Sequence, residues 1–187
     1  MIANIVVALA LAHVGVATAA EPVTVLGLPL GGKVKMPILK CPAPDTDSEV
    51  RSLCWVETPQ RYKGARSGWA RAPGESKMPK WAARGFLEPW VKDDGTLQSL
   101  TVKSGSADQF TEILNSISSR FGQSQRESRP GSATKSAEWT RDDVHIQLLC
   151  SSSIGCSTTF TSGAAHAAHL QAVAAREQKD SARSVSP

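Results

Sequence analysis

Histidine, tyrosine and long apolar runs are all scarce in this chain. Its 187 residues include four His and one Tyr. No HExxH, GxSxG, P-loop or GxGxxG signature occurs, which removes the enzyme and nucleotide-binding classes that announce themselves by those spacings. Neither cysteine pair has CxxC spacing, which argues against a four-cysteine metal site. Beyond residue 20 no apolar stretch approaches the ~20 residues needed to cross a bilayer. The mature chain is therefore read as having no transmembrane segment. The first twenty residues contain no Asp, Glu, Lys or Arg at all.

That last absence is informative. Ile5 to Val16 is apolar apart from His13, and the small residues Ala17-Thr18-Ala19-Ala20 precede Glu21-Pro22. An apolar segment ending in small residues has the form of a secretory signal peptide, with cleavage expected after Ala19 or Ala20. An uncleaved anchor is the alternative, and its apolar stretch is short for that role. Residues 1-20 are thus read as a signal peptide and the rest as a periplasmic or secreted protein. The 187 residues less these 20 leave 167, a length that suits one domain.

All the Asp, Glu, Lys and Arg lie beyond residue 20, so the formal net charge stays at +4. It is unevenly spread: residues 33–92 hold twelve Lys and Arg against six Asp and Glu, and residues 93–187 hold nine against ten. A basic half favours anionic partners such as lipid headgroups, cell-wall polymers or an acidic protein. Nucleic acid is not expected for an exported chain.

Four cysteines in an oxidising compartment imply two disulfides. Val144 to Cys150 and Cys156 to Thr161 alternate as strands do, and Ser151-Ser152-Ser153-Ile154-Gly155 joins them as a hairpin loop. Folding about Ser153 puts Cys150 opposite Cys156, Leu148 opposite Thr158 and Ile146 opposite Phe160. Cβ atoms of facing residues are close enough for a disulfide once local twist is added. The expected pairs are Cys150–Cys156 and, by elimination, Cys41–Cys54.

A second hairpin is expected where Lys92-Asp93-Asp94-Gly95 separates Gly85–Val91 from Thr96–Val102, because Asp-Gly favours tight hairpin turns. Pro89 suggests that its first strand lies at an edge. Between the hairpins, Ser106-Ala107-Asp108-Gln109 has capping-box form. Phe110, Ile113, Leu114, Ile117 and Phe121 then make one apolar helical stripe ending at Gly122. Gln123 to Lys135 reads as a polar linker. Residues 57–82, punctuated by Pro and Gly, read as an irregular basic loop. Ala164 to Lys179 reads as an Ala-rich helix, and Asp180 to Pro187 as a disordered tail.

These elements predict an α+β fold: a small, four- or five-stranded antiparallel sheet in hairpin–helix–hairpin order, one helix packed across it, and an irregular Trp- and base-rich N-terminal half. The expected organisation is a signal peptide at 1-20, one disulfide-stapled domain at 21-162, and an Ala-rich helix with a flexible tail at 163-187.

Chemistry-bearing residues are few. His145 falls on the outward face of its strand. His166 and His169 share a helix side at i and i+3, but Glu177 is too far along to complete a metal set, so no metal and no cofactor are implied. Asp93-Asp94 and Asp142-Asp143 sit in turns, where Asp bonds to backbone. The unusual segment is Trp55 to Trp90, where aromatic residues interleave with cations. Exposed Trp and Arg together mark binding surfaces, and Trp also stacks on sugar rings. The candidate binding residues are Arg61, Lys63, Arg66, Trp69, Arg71, Lys80 and Trp81.

The leading functional expectation is a non-enzymatic exported binding protein, with an anionic envelope component or another protein as partner. One alternative is an inhibitor of an envelope or secreted hydrolase, inserting residues 57–82 or the Ser151–Gly155 tip. Another is a hydrolase without a recognisable motif, using His145.

Overall fold

The structure, a computed structural model, describes residues 22–35, 41, 50, 53–74, 77–83, 85–141 and 143–184. The leader reading at 1-20 lies outside the described residues, as do Asp142 and most of the loop closed by Cys41 and Cys54.

The chain is mainly antiparallel β. Among the described residues a small hairpin comes first, β1 (Val23–Val25) and β2 (Leu28–Leu30). Then come β3 (Cys54–Trp55), β4 (Gln60–Tyr62), β5 (Ala65–Ser67), β6 (Ala70–Arg71) and the short helix α1 (Lys80–Ala83). The long hairpin β7 (Phe86–Lys92) and β8 (Leu97–Ser104) leads to helix α2 (Phe110–Phe121). The chain continues through β9 (Arg126–Glu127), β10 (Thr134–Arg141), β11 (Val144–Ser151) and β12 (Gly155–Ser162), and the described residues end in α3 (Gly163–Ser184). All strands but β1 and β2 join one ten-stranded sheet. Its main path runs β3-β6-β7-β8-β12-β11-β10-β9, with β5 also on β7 and β4 on β5.

This overturns the expected small α+β sheet. Three differences account for it. The segment at 57–82 is not an irregular loop: β4, β5, β6 and α1 lie within it or at its end. The linker at 123–135 contains β9 and the start of β10, which pairs with β11 along its whole length. Pro89 is not on an edge, because β7 has β8 on one side and β5 and β6 on the other. The missing N–H is tolerated there because Pro89 lies at the break between the two short ladders, Ser67↔Trp90 and Ala70↔Leu87. The expected tail is corrected as far as Ser184, since α3 runs through Asp180 to Ser184; residues 185–187 lie outside the described residues.

The two alternating hairpins form as their patterns require. Cys150 faces Cys156, Leu148 faces Thr158 and Ile146 faces Phe160, and the disulfides are Cys150–Cys156 and Cys41–Cys54. Gly155 closes the β11–β12 turn with φ +71°, and a Cβ there would sit 2.3 Å from the Ser104 carbonyl oxygen. Only glycine fits that approach. In the β7–β8 turn the Asp94 carboxylate accepts the Thr96 N–H at 2.9 Å and pairs with Lys33 at 2.8 Å. The Lys33 ammonium, then the Thr96 N–H, hold its carboxyl far below the usual carboxylate range. A bulge at Trp90/Val91 lets both Leu97 and Leu100 face inward although three residues apart.

One face of the sheet makes the core. Leu87, Val102, Phe160, Ile146 and Trp139 on successive strands are buried there with Ile113 and Ile117 of α2, Trp81 of α1 and Leu28 and Leu30 of β2. Each such aliphatic side chain contributes about 1.5–3 kcal/mol on burial. The orphan carbonyls at the end of α2 find partners on β10: Trp139 Nε1 donates to Gly122 O at 3.0 Å and Arg141 Nε to Phe121 O at 3.1 Å. At the other end, the Ser106 hydroxyl accepts from the Asp108 N–H at 3.3 Å and caps a 3-10 turn, Ala107–Gln109, that leads into α2. The cap therefore serves the turn, and Gln109 becomes the residue that precedes the helix.

Candidate functional site

The opposite face of the sheet is open, an arrangement available to antiparallel sheets alone. Directly facing residues point the same way, so the ladders spell out what this face carries. One row across the strands is Glu88, Thr101, Thr159, Gln147, Glu138 and Arg126. A second is Trp90, Ser99, Thr161, His145 and Thr140. Hydroxyls fill the middle, with Thr101 and Thr159 bonded to each other at 3.0 Å. Aromatic rings lie at one end, and a polar groove at the other.

At the aromatic end Trp69 stacks on Phe86, ring centroids 4.9 Å apart, and Tyr62 covers Trp90 at 4.7 Å. Tyr62, Trp69 and Phe86 expose 47%, 42% and 57% of their surface. Large aromatics left this open, side by side, are what a binding face presents and what a solvated loop avoids. A cavity of about 360 Å³ lies between Tyr62, Trp69, Gln60, Ser67, Glu57 and Glu88. Lys63, in the β4–β5 turn, and Lys92, which follows Trp90 on the same face, are exposed and have no ion pair among the described residues. Lys103 is paired with Glu88 at 2.7 Å.

The seven residues expected from the sequence do not form one cluster. Trp69 and Lys63 belong to the aromatic end. Arg61 is exposed but faces Arg66, away from Tyr62. Arg66 is half-buried, its Nε 3.6 Å from the Asp93 carboxylate. Arg71 is half-buried and engaged in a contact of its own. Lys80 is exposed on α1, and Trp81 is 2% exposed in the core, donating Nε1 to Ser116 Oγ at 3.1 Å. Trp81 thus lies on the core side of the sheet and Trp69 on the open side. Phe86, Tyr62 and Trp90 are the partners that the residue pattern did not select.

At the other end α3 leaves β12 and encloses a groove of about 740 Å³ with the outer face of β9 to β12. The rings of His145 and His166 stack across it, centroids 3.8 Å apart and 11° from parallel. Lone pairs of ring nitrogens lie in the ring planes, so two stacked imidazoles do not converge on one metal ion. Among the described residues no three His, Cys, Asp or Glu come together as a metal set. Burial, followed by the charge of His166, holds the His145 pKa below its ordinary 6.5, opposed by Glu138. His145 Nδ1 is 3.3 Å from Thr140 Oγ1. The rest of the groove is tied down by short contacts: Gln125 Nε2 donates to Thr140 O at 3.0 Å, Gln147 Nε2 to Glu138 Oε1 at 3.4 Å, and Arg126 lies 3.8 Å from Glu138. Sequence reading placed His145 outward. It misses Arg126, Glu138 and Gln147, whose only signal is their shared outward position on paired strands, and Gln125, which precedes β9.

Chemically, this face can stack apolar ring surfaces, attract anions at Lys63 and Lys92, and exchange hydrogen bonds along its length. Two disulfides fit an oxidising, exported setting. Among the described residues no helix is long and apolar enough to cross a membrane. No family model, curated protein or solved structure matches the chain.

Proposed function

We propose that this is a non-enzymatic binding protein of the periplasm or cell exterior, and that the aromatic end of its open sheet face binds an anionic glycan of the envelope. The observation that carries this reading is the pair of exposed stacked rings, Trp69 and Phe86, beside Tyr62 and Trp90 on a flat hydroxyl-rich face. The C–H faces of a sugar pack on aromatic rings, its hydroxyls find Ser and Thr, and its carboxylates or phosphates find Lys63 and Lys92. A signal peptide at residues 1-20 and two disulfides are the setting this reading requires.

Retention on hyaluronan, an alternating polymer of a uronate and an N-acetylated sugar, against retention on neutral dextran tests it. Wild type should be held by hyaluronan and released by salt, because exposed charge contacts are screened. Trp69→Ala with Phe86→Ala should abolish retention, and Lys63→Glu with Lys92→Glu should weaken it. Equal retention of wild type and both double variants would remove the reading.

A further inference from the structure

We infer that the groove beneath α3 is a second subsite for the same glycan, taking an uncharged, hydroxyl- and amide-bearing sugar unit. The inference rests on the reading of the open face as a glycan surface. The groove's fixed charges, Arg126 and Glu138, face each other across the β9–β10 pair, 3.8 Å apart. What the groove's own contacts leave to meet a ligand is neutral and able both to donate and to accept: the carbonyl oxygen and second N–H of the Gln125 and Gln147 amides, the Thr161 hydroxyl and the second ring nitrogen of His145. A sugar hydroxyl has the same double character, whereas an ionic group would need an unpaired partner. Leu170, 54% exposed at the groove, supplies an apolar wall for the C–H face of a sugar ring.

The two ends are joined by continuous rows. From Trp90 the row runs through Ser99, Thr161 and His145 to Thr140, and from Glu88 through Thr101, Thr159 and Gln147 to Glu138. Four strand spacings separate β7 from β10, about 19 Å at 4.7–4.9 Å each. A single polymer chain crossing the strands would reach both ends. A polypeptide fits less well: the backbone groups of β11 and β12 beneath the groove are already paired on both sides, so no strand can add there.

Calorimetry with hyaluronan oligomers of two lengths tests this. The disaccharide, too short to bridge four strand spacings, should occupy the aromatic end alone, and the decasaccharide should span both ends and bind at least tenfold more tightly, through linked contacts. Gln147→Ala with Gln125→Ala should erase that length advantage and leave the disaccharide affinity unchanged. His145→Phe, which keeps a ring against His166, is a second variant expected to reduce the advantage. Wild type that binds both lengths equally, or groove variants that keep the tenfold difference, would overturn the subsite and leave the aromatic-end reading standing. Wild type that binds neither length would overturn both. Amide shifts at Gln147 and His145 with a threonine-rich decapeptide, and none with the decasaccharide, would assign the groove to a polypeptide and overturn the proposal.

Discussion

His145 on β11 and His166 on α3 stack with ring centroids 3.8 Å apart, and this contact ties the terminal helix to the open face of the sheet. Beyond its first turns α3 is almost entirely exposed. Helix position over the groove therefore depends on a contact between two titratable rings.

That dependence has a sign. The docked state holds the His145 pKa below its ordinary 6.5, first through burial, then through the charge of His166. The facing groups are Glu138 on β10, which opposes the shift, Arg126 on β9, and His166 and His169 on α3. A histidine with a depressed pKa favours the docked state in its neutral form. Docking is therefore fully present above about pH 6.5 and is lost as pH falls below it. Hydrogen exchange of the amides from Gly163 to Leu170, corrected for intrinsic rates, should be faster at pH 5 than at pH 8. His145→Phe should flatten that difference. A helix equally protected at both pH values in wild type would refute the coupling.

Trp139 links the core to the end of α2. It is fully buried, and its Nε1 donates to the Gly122 carbonyl at 3.0 Å. Trp139→Phe removes that bond and leaves a void beside α2, at an expected cost of about 1–3 kcal/mol. The shift of a urea unfolding midpoint measures it. No shift would mean that α2 is held by its apolar stripe alone.

The Cys150–Cys156 bond closes a loop of sequence separation 6. Its chain-entropy contribution should fall below the ~3 kcal/mol of a 15-residue loop. Its larger role is register, because a one-residue slip would turn Val144, Ile146 and Leu148 to the open face. Replacing both cysteines with Ala should lower stability within that limit and increase protease cleavage in β11 and β12. Non-reducing peptide maps of wild type should yield a Cys150–Cys156 peptide; a Cys41–Cys150 peptide would contradict the hairpin itself.

The parts legible in the sequence are those with enough length to show a period. β11 and β12 run eight residues each, with alternation that fixes the Cys150↔Cys156 register. The α2 stripe repeats through Ile113 and Ile117. β3 to β6 are two or three residues long, too short for alternation to appear, and the pairing of β5 and β6 with β7 is decided by tertiary contact. This is why residues 57–82 read as a loop and the sequence predicts a small sheet. Asp180 to Ser184 lacks an apolar period and is still helical in the structure, because helix formation tolerates a wholly polar stretch that extends an existing helix. At the site, Trp69 was legible as an aromatic among cations. Its stacking on Phe86, an aromatic of the same segment, is not legible, because the facing of the two depends on how β6 meets β7. Trp81 stands among cations in the sequence, where a binding role and a core role are both open, and the structure puts it in the core; Pro79 before it is the local sign of a helix start. The His145–His166 contact depends on where α3 lies after β12, which no local pattern fixes.

The most direct test of the aromatic platform is the tryptophan emission of the protein during titration with hyaluronan. Trp69 is the one tryptophan among the exposed large hydrophobics, so contact with a sugar ring should produce a saturable change in emission. Trp69→Phe should keep a stacking ring, and hence most of the affinity, and lose most of that signal. Binding by wild type with no emission change, or a change that survives when Trp69 and Trp90 are both replaced by Phe, would contradict the placement of the glycan on this face.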